Sequence, residues 1–124
     1  MGVKYGLLGE KLSHSYSKII HGMLGNGEYE LLSLDRDGLR RLLLSREFKA
    51  LNVTIPYKKE VIPYCDALSP TARAVGCVNT LVFENGVLVG HNTDYAGFLY
   101  MAQSAGIGFG GKKVLILGSG GTSL

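Results

Sequence analysis

Apolar residues in this chain fall into short runs separated by glycine-rich or polar breaks. Their spacing alternates between a strand-like period of two and a helix-like period of about 3.6. Val3 to Leu8 reads as a short apolar strand bounded by Gly9. After a polar loop, Glu10 to Ser15, a helix is predicted from about Ser17. Ile20, Met23 and Leu24 lie on its apolar face, and Gly25-Asn26-Gly27 ends it. Tyr29 to Leu34 suits a second strand. Asp35 can cap the next helix, on which Leu39, Leu42, Leu43 and Phe48 form a stripe to bury. Leu51 to Ile55 alternates as a pleated strand does. Pro56 halts it, because proline fixes its own φ and has no N–H for a ladder.

The second half continues the alternation. A short helix is predicted over Lys58 to Cys65, broken by Pro63, and Ser69-Pro70 is a clean helix start. Asn79 to Phe83 and Val87 to Gly90 flank Asn85-Gly86, the strongest short hairpin signal. Thr93 to Ala105 reads as an amphipathic helix with Phe98, Leu99 and Met101 apolar and Gly106 past its end. Lys113 to Leu117 reads as a fully apolar strand that runs into Gly118-Ser119-Gly120-Gly121. Helices alternating with strands, plus one hairpin, predict an α/β domain on a mixed sheet.

Composition narrows the classes. The chain has 124 residues, enough for one domain with a genuine core and too few for two complete ones. Apolar residues at 46% and charged residues at 19% are ordinary for a globular protein. A net charge of +3 without a basic stripe argues against nucleic acid as a partner. No apolar run is long enough to span a membrane, and the first residues lack the apolar stretch of a signal peptide. Met1-Gly2 opens like a myristoylation site, but Gly6 stands where that motif requires Ser or Thr. Cys65 and Cys77 have no CxxC spacing, and His14, His21 and His91 show no ligand spacing. The expectation is a cytoplasmic protein with reduced thiols and no metal.

Four polar clusters fall at element ends. Ser15 and Ser17, in Ser13-His14-Ser15-Tyr16-Ser17, can grip a carboxylate beside a helix start, although a plain N-cap with a neighbouring serine uses the same residues. Thr54 and Lys58 lie at the end of the third strand and just past it. Lys58 can exchange a proton with a substrate hydroxyl; equally, it can be a solvated charge at a helix start. Asn79 with Thr80 follows Gly76-Cys77-Val78. Asn92-Thr93-Asp94 follows the hairpin, where Asp94 can either pair with Lys58 or serve as a first-turn helix acid.

The tail adds a different chemistry. A strand followed at once by Gly118-Ser119-Gly120-Gly121 opens like a dinucleotide-binding βαβ unit. Gly106 to Lys112 fits the start of a P-loop only superficially. Lys113 stands in place of Ser or Thr, and the glycines precede the strand.

Taken in order, these segments resemble the shikimate dehydrogenase family over nearly the whole chain. Tyr5-Gly6-Leu7-Leu8-Gly9, with His14-Ser15-Tyr16-Ser17 and His21, is similar to the family's first signature. Asn52-Val53-Thr54-Ile55-Pro56-Tyr57-Lys58 matches its Asn-Val-Thr-x-Pro-aromatic-Lys motif. Gly76-Cys77-Val78-Asn79-Thr80 resembles Gly-Ala-Val-Asn-Thr. Gly90-His91-Asn92-Thr93-Asp94 with Gly97-Phe98 matches a further motif, and the tail is similar to the NADP loop. Among the departures, Lys11 and Lys18 stand where prolines are common and Cys77 replaces alanine, while the larger one is length, since the family's second domain is here only a first strand and half a loop.

The resemblance implies roles. Ser15 and Ser17 would bind the shikimate carboxylate; Thr54, Asn79 and Asp94 would hold ring hydroxyls. Lys58 and Asp94 would form the catalytic pair that manages the proton, while Gly118, Gly120 and Gly121 would start the NADP loop. It implies a mixed sheet with helices on both faces over residues 1–105, and over 106–124 the first strand of a truncated Rossmann domain. The implied activity is NADP-dependent reduction of 3-dehydroshikimate to shikimate by a longer parent, with this chain inactive alone. A quinate/shikimate dehydrogenase of broader range and a non-catalytic shikimate or quinate sensor are the alternatives. Exposure of Val114 to Leu117 would also favour self-association.

Overall fold

The computed structural model describes residues 3–123. Met1-Gly2, and with them the myristoylation-like start, lie outside the described residues, as does Leu124. The element order is β1 (Tyr5–Gly9), α1 (Ser17–Met23), β2 (Tyr29–Ser33), α2 (Arg36–Ser45), β3 (Ala50–Val53), β4 (Ala67–Leu68), α3 (Pro70–Val75), β5 (Thr80–Glu84), β6 (Val87–His91) and α4 (Asp94–Ser104). The six strands form one sheet in the order β2-β1-β3-β5-β6-β4. β1 runs parallel to both β2 and β3, as the crossovers through α1 and α2 require. β5 is antiparallel to β3 and to its hairpin partner β6. The expected mixed sheet is therefore present.

Local chemistry explains most boundaries. The Asp35 carboxylate accepts the Gly38 N–H at 2.7 Å, capping α2, and Ser69 caps α3 through the Ala72 N–H at 3.2 Å. In the hairpin, φ is +52° at Asn85 and +83° at Gly86, and a type I′ turn needs both values positive.

The two faces of the sheet bury different sets. Leu8, Leu51, Val53, Leu81 and Leu88 face α2 and α3, packing with Leu39, Leu43 and Ala72 in the larger core. Leu7, Leu12 and Tyr29 form a smaller cluster on the opposite face, where His21 of α1 stacks on Tyr29 at 3.8 Å. Helices thus lie on both faces.

Several expectations differ from the structure. The apolar face assigned to α1 is not buried: Met23 and Leu24 are 83% and 78% exposed. That seven-residue helix buries no residue and meets the sheet through the His21 ring. In α4 only Ala102 is buried, while Phe98 and Met101 are exposed. Phe48 is buried but lies beyond α2, because Arg46 at φ +55° ends the helix and turns the chain inward. Residues 58–65 form turns and a short 3₁₀ segment, Ile62–Tyr64, with Pro63 inside it. β4 was too short for periodicity to reveal.

Lys113 to Leu117, expected as a strand, forms none among the described residues, and Leu115 and Leu117 are more than four-fifths exposed. A strand needs a neighbour for its ladder, and this stretch pairs with none of the six.

Candidate functional site

The topology brings all four polar clusters to one edge of the sheet. Parallel β1 and β3 end side by side, with Leu8 opposite Val53, so the serine loop and the Thr54 loop leave together. Antiparallel β5 begins at that same edge, and Val53 N–H donates to the Asn79 carbonyl at 2.7 Å. β6 then returns to it, with His91 opposite Thr80, and delivers Asn92-Thr93-Asp94. Ligand sites of open α/β sheets form at such strand ends.

The loop carrying Lys58 is pinned on both sides. Tyr57 is wholly buried in the larger core, and its hydroxyl donates to the Leu34 carbonyl at 2.7 Å. The Val78 N–H donates to the Lys58 carbonyl at 2.8 Å. With its backbone held, Lys58 extends Nζ to 2.6 Å from Asp94 Oδ2. The lysine side chain is 14% exposed and the aspartate 36%, so the ion pair is partly dry and its carboxylate is open to a ligand. Lys58 Nζ also donates to Thr122 Oγ1 at 3.3 Å.

Asn79 and Asn92 are buried polar residues, and both are satisfied. Asn79 Oδ1 accepts the Thr93 N–H at 3.0 Å, and its Nδ2 donates to Thr93 Oγ1 at 2.8 Å. Asn92 Oδ1 accepts the Tyr95 N–H at 3.1 Å, which satisfies a first-turn donor of α4 beside Asp94. Asn92 Nδ2 meets the Cys77 carbonyl and Sγ, and the Cys77 thiol donates to the Gly121 carbonyl at 3.0 Å. Sequence reasoning missed that role of Cys77 and the Thr122 contact to Lys58; both depend on residues more than 40 positions apart.

Thr54 sits at the root of its loop, where its N–H donates to the Leu8 carbonyl at 2.9 Å. Gly9 touches the same point: a Cβ there would stand 2.8 Å from Thr54 Cγ2 and 2.7 Å from Leu12 Cδ2. Ser15 Oγ accepts the Ser17 N–H at 3.2 Å, leaving the Ser15 hydroxyl proton free to donate. Among the described residues neither serine bonds to Lys58, Asp94 or Asn79, so the structure places them on a neighbouring loop and not in the ion-pair cluster.

Two cavities meet at the Lys58–Asp94 pair. One, of about 540 Å³, is lined by Asn92, Asp94, Tyr95, Phe98, Leu117 and Thr122. The other, of about 560 Å³, lies between Pro56, Lys58 and the loop 117–123. Gly118 and Gly120 leave open space, since a Cβ at either would meet nothing within 4 Å. The residues that follow form a 3₁₀ turn, Gly121–Ser123, whose Ser123 N–H already donates to the Gly120 carbonyl at 3.1 Å. A pyrophosphate requires a row of free N–H groups at a helix start. These residues alone do not fit a dinucleotide, and the chemistry open to the site is proton exchange and recognition of a small polar ligand.

Comparison with known proteins bears on the family and the fold. The family model described as shikimate dehydrogenase substrate binding domain matches residues 7–81. A shikimate dehydrogenase (NADP(+)) of Clostridium beijerinckii is 40% identical over 96% of this chain and 47% of its own length. One from Chlorobium phaeovibrioides is 41% identical over 97% of this chain and 44% of its own length. The chain therefore spans about half the length of the curated relatives it matches. The crystal structure of shikimate dehydrogenase 1 from Peptoclostridium difficile superposes with a TM-score of 0.87 at 36% identity, over 99% of this chain and 48% of that one. The Thermus thermophilus shikimate 5-dehydrogenase in complex with shikimate gives 0.84 at 34% identity, over 98% and 49%. With more than half of its length matched by that model and its sheet edge carrying the Lys58–Asp94 pair, the chain belongs to the shikimate dehydrogenase substrate-binding domain family.

Proposed function

We propose that this chain is the substrate-binding part of an NADP-dependent shikimate dehydrogenase, and that it binds shikimate or 3-dehydroshikimate along the edge that carries Lys58 and Asp94. The observation that carries the reading is the 2.6 Å contact between those two side chains, 36 positions apart in sequence, at the mouth of two cavities. In reduction of a ring ketone, for which NADPH when bound would supply the hydride to the carbonyl carbon, the Lys58 ammonium delivers its proton to the carbonyl oxygen. In the reverse direction the amine accepts the hydroxyl proton. Asp94 holds the ammonium in place and accepts from a neighbouring ring hydroxyl. Thr54 and Asn79 hold further hydroxyls, and Ser15 with Ser17 grips the carboxylate from the adjacent loop. Gly118, Gly120 and Gly121 belong on the cofactor side, with residues 1–105 forming the substrate part and 106–124 leading toward the cofactor part. The presence of both members of the pair, in contact, favours catalysis over a sensor role.

Isothermal titration of this chain with shikimate tests the reading. Saturable binding that Asp94→Ala weakens at least tenfold supports it, whereas absence of saturable heat up to millimolar shikimate overturns it. The exposed side chains of Tyr100, Met101, Leu115 and Leu117 further support self-association of the isolated chain.

A further inference from the structure

Asn79 is 9% exposed, and the orientation of its side chain decides what it offers a ligand: an amide oxygen accepts, an NH2 donates. One contact settles that orientation. The Thr93 backbone N–H, which can only donate, lies 3.0 Å from the Asn79 side chain, so the atom facing it is Oδ1. Thr80 Oγ1 lies 3.1 Å from the same oxygen and must direct its single proton there. Thr80 then has only lone pairs for Asn52, which turns Nδ2 to it at 3.3 Å. Asn52 Oδ1 is left facing the Tyr29 hydroxyl, which donates at 2.7 Å.

The result is a hydrogen-bonded chain in which each side-chain donor points the same way, Tyr29 to Asn52 to Thr80 to Asn79 to Thr93, while the Thr93 backbone N–H donates back to Asn79. It crosses from β2 over β1 to β3 and β5, and it ends at the site. Asn52 and Thr80 are opposite partners in the β3–β5 register, which puts their side chains on one face. Burial pushes the Tyr29 hydroxyl up to about 12, so the first donor stays protonated throughout the neutral range. Serial bonds of one polarity reinforce each other.

We propose that Tyr29, Asn52 and Thr80 are positioning residues that lock the Asn79 amide, so that it presents one N–H and no acceptor to the ligand edge. Both acceptor positions of Asn79 Oδ1 are filled by Thr93 and Thr80, and one Nδ2 proton goes to Thr93 Oγ1. The remaining Nδ2 proton selects a ligand oxygen that accepts, whether hydroxyl or carbonyl. A site built this way discriminates strongly against analogues lacking that oxygen, because a buried donor would be left unpaired. The lock stands on the geometry alone; its effect on affinity rests on the shikimate reading above.

The test compares Thr80→Val, which keeps the shape and removes the hydroxyl, with Thr80→Ser, which restores it. Side-chain amide resonances of Asn79 in ¹⁵N-labelled chain report the lock directly, and shikimate titration reports its consequence. Expected are shifted or exchange-broadened Asn79 amide signals in Thr80→Val, about tenfold weaker shikimate binding, and wild-type behaviour in Thr80→Ser. Tyr29→Phe keeps the ring stacked on His21 and should shift the Asn52 amide in the same experiment, which provides a second route if Thr80→Val does not fold. Unchanged Asn79 signals in folded Thr80→Val, or unchanged Asn52 signals in Tyr29→Phe, overturn the proposal. Perturbed amides in a chain that binds no shikimate even as wild type support the lock and sink the substrate reading.

Discussion

Lys58 Nζ lies 2.6 Å from Asp94 Oδ2, although one side chain follows β3 and the other opens α4. The contact exists because β5 and β6 reverse direction between them and return the chain to the edge where β3 ended. Each partner is held from behind, the lysine by buried Tyr57 and the aspartate by the Asn92 bond to the Tyr95 N–H.

In an active shikimate dehydrogenase carrying this domain, Lys58→Ala should lower kcat by roughly 10²- to 10⁴-fold, the range for loss of a positioned proton donor. KM should change little, since the proton is needed in the transition state more than in the ground state. Steady-state kinetics check this, and a variant whose kcat stays within threefold of wild type would rule out Lys58 as the proton donor.

Tyr57→Phe removes only the hydroxyl that satisfies the Leu34 carbonyl. The substitution should cost about 1 kcal/mol in urea unfolding. Truncation to Ala should cost about 3–5 kcal/mol, because the side chain is wholly buried in the larger core. Shikimate affinity should fall further in the Ala variant, whose loop no longer anchors Lys58.

Gly9→Ala places a methyl 2.7 Å from Leu12 Cδ2 and 2.8 Å from Thr54 Cγ2, between the serine loop and the Thr54 loop. Overpacking of this kind costs about 1–3 kcal/mol. Because the two displaced loops carry proposed contacts, the variant should lose shikimate affinity at temperatures where circular dichroism shows it fully folded.

Asp66 accepts two bonds from the Arg46 guanidinium, at 2.7 and 2.8 Å, and the Leu88 N–H at 2.8 Å. The Arg46 bonds first, and then the Leu88 bond, hold its carboxyl down to about 2 from the usual 3.8. Since the folded-state value is the lower one, the contribution to stability is complete above the usual value and is lost as pH falls from 3.8 toward 2. Melting temperatures of wild type and Asp66→Asn should therefore differ at neutral pH and converge near pH 2. A constant gap across that window would contradict the assignment.

Exposure of Leu115 and Leu117 beside α4 predicts that the isolated chain elutes with a concentration-dependent mass. Light scattering across a hundredfold dilution checks this. A monodisperse monomer at every concentration would remove self-association from the picture.

Much of the architecture was legible locally. Asp35, Ser69 and Asn85-Gly86 act through bonds to residues within three or four positions, so their caps and turn could be read from the sequence. The polar motifs at element ends likewise marked Lys58, Asp94 and Asn79 as candidates. Burial was less legible. Met23, Phe98 and Leu117 are apolar in helical or strand-like patterns yet exposed, because periodicity says which face is apolar and not whether a neighbour covers it. The apolar run after Lys113 made the same point for strands, since a ladder depends on an available edge.

Sequence alone determined which groups are able to carry chemistry and roughly where each element begins, because both are properties of neighbouring residues. Only the tertiary structure decided which of those groups meet. Strand order joined Lys58 to Asp94 and threaded Tyr29, Asn52 and Thr80 to Asn79, while it left Ser15 and Ser17 on a separate loop. Such pairings depend on sheet register and strand direction, which fix distances between residues that the linear order leaves far apart.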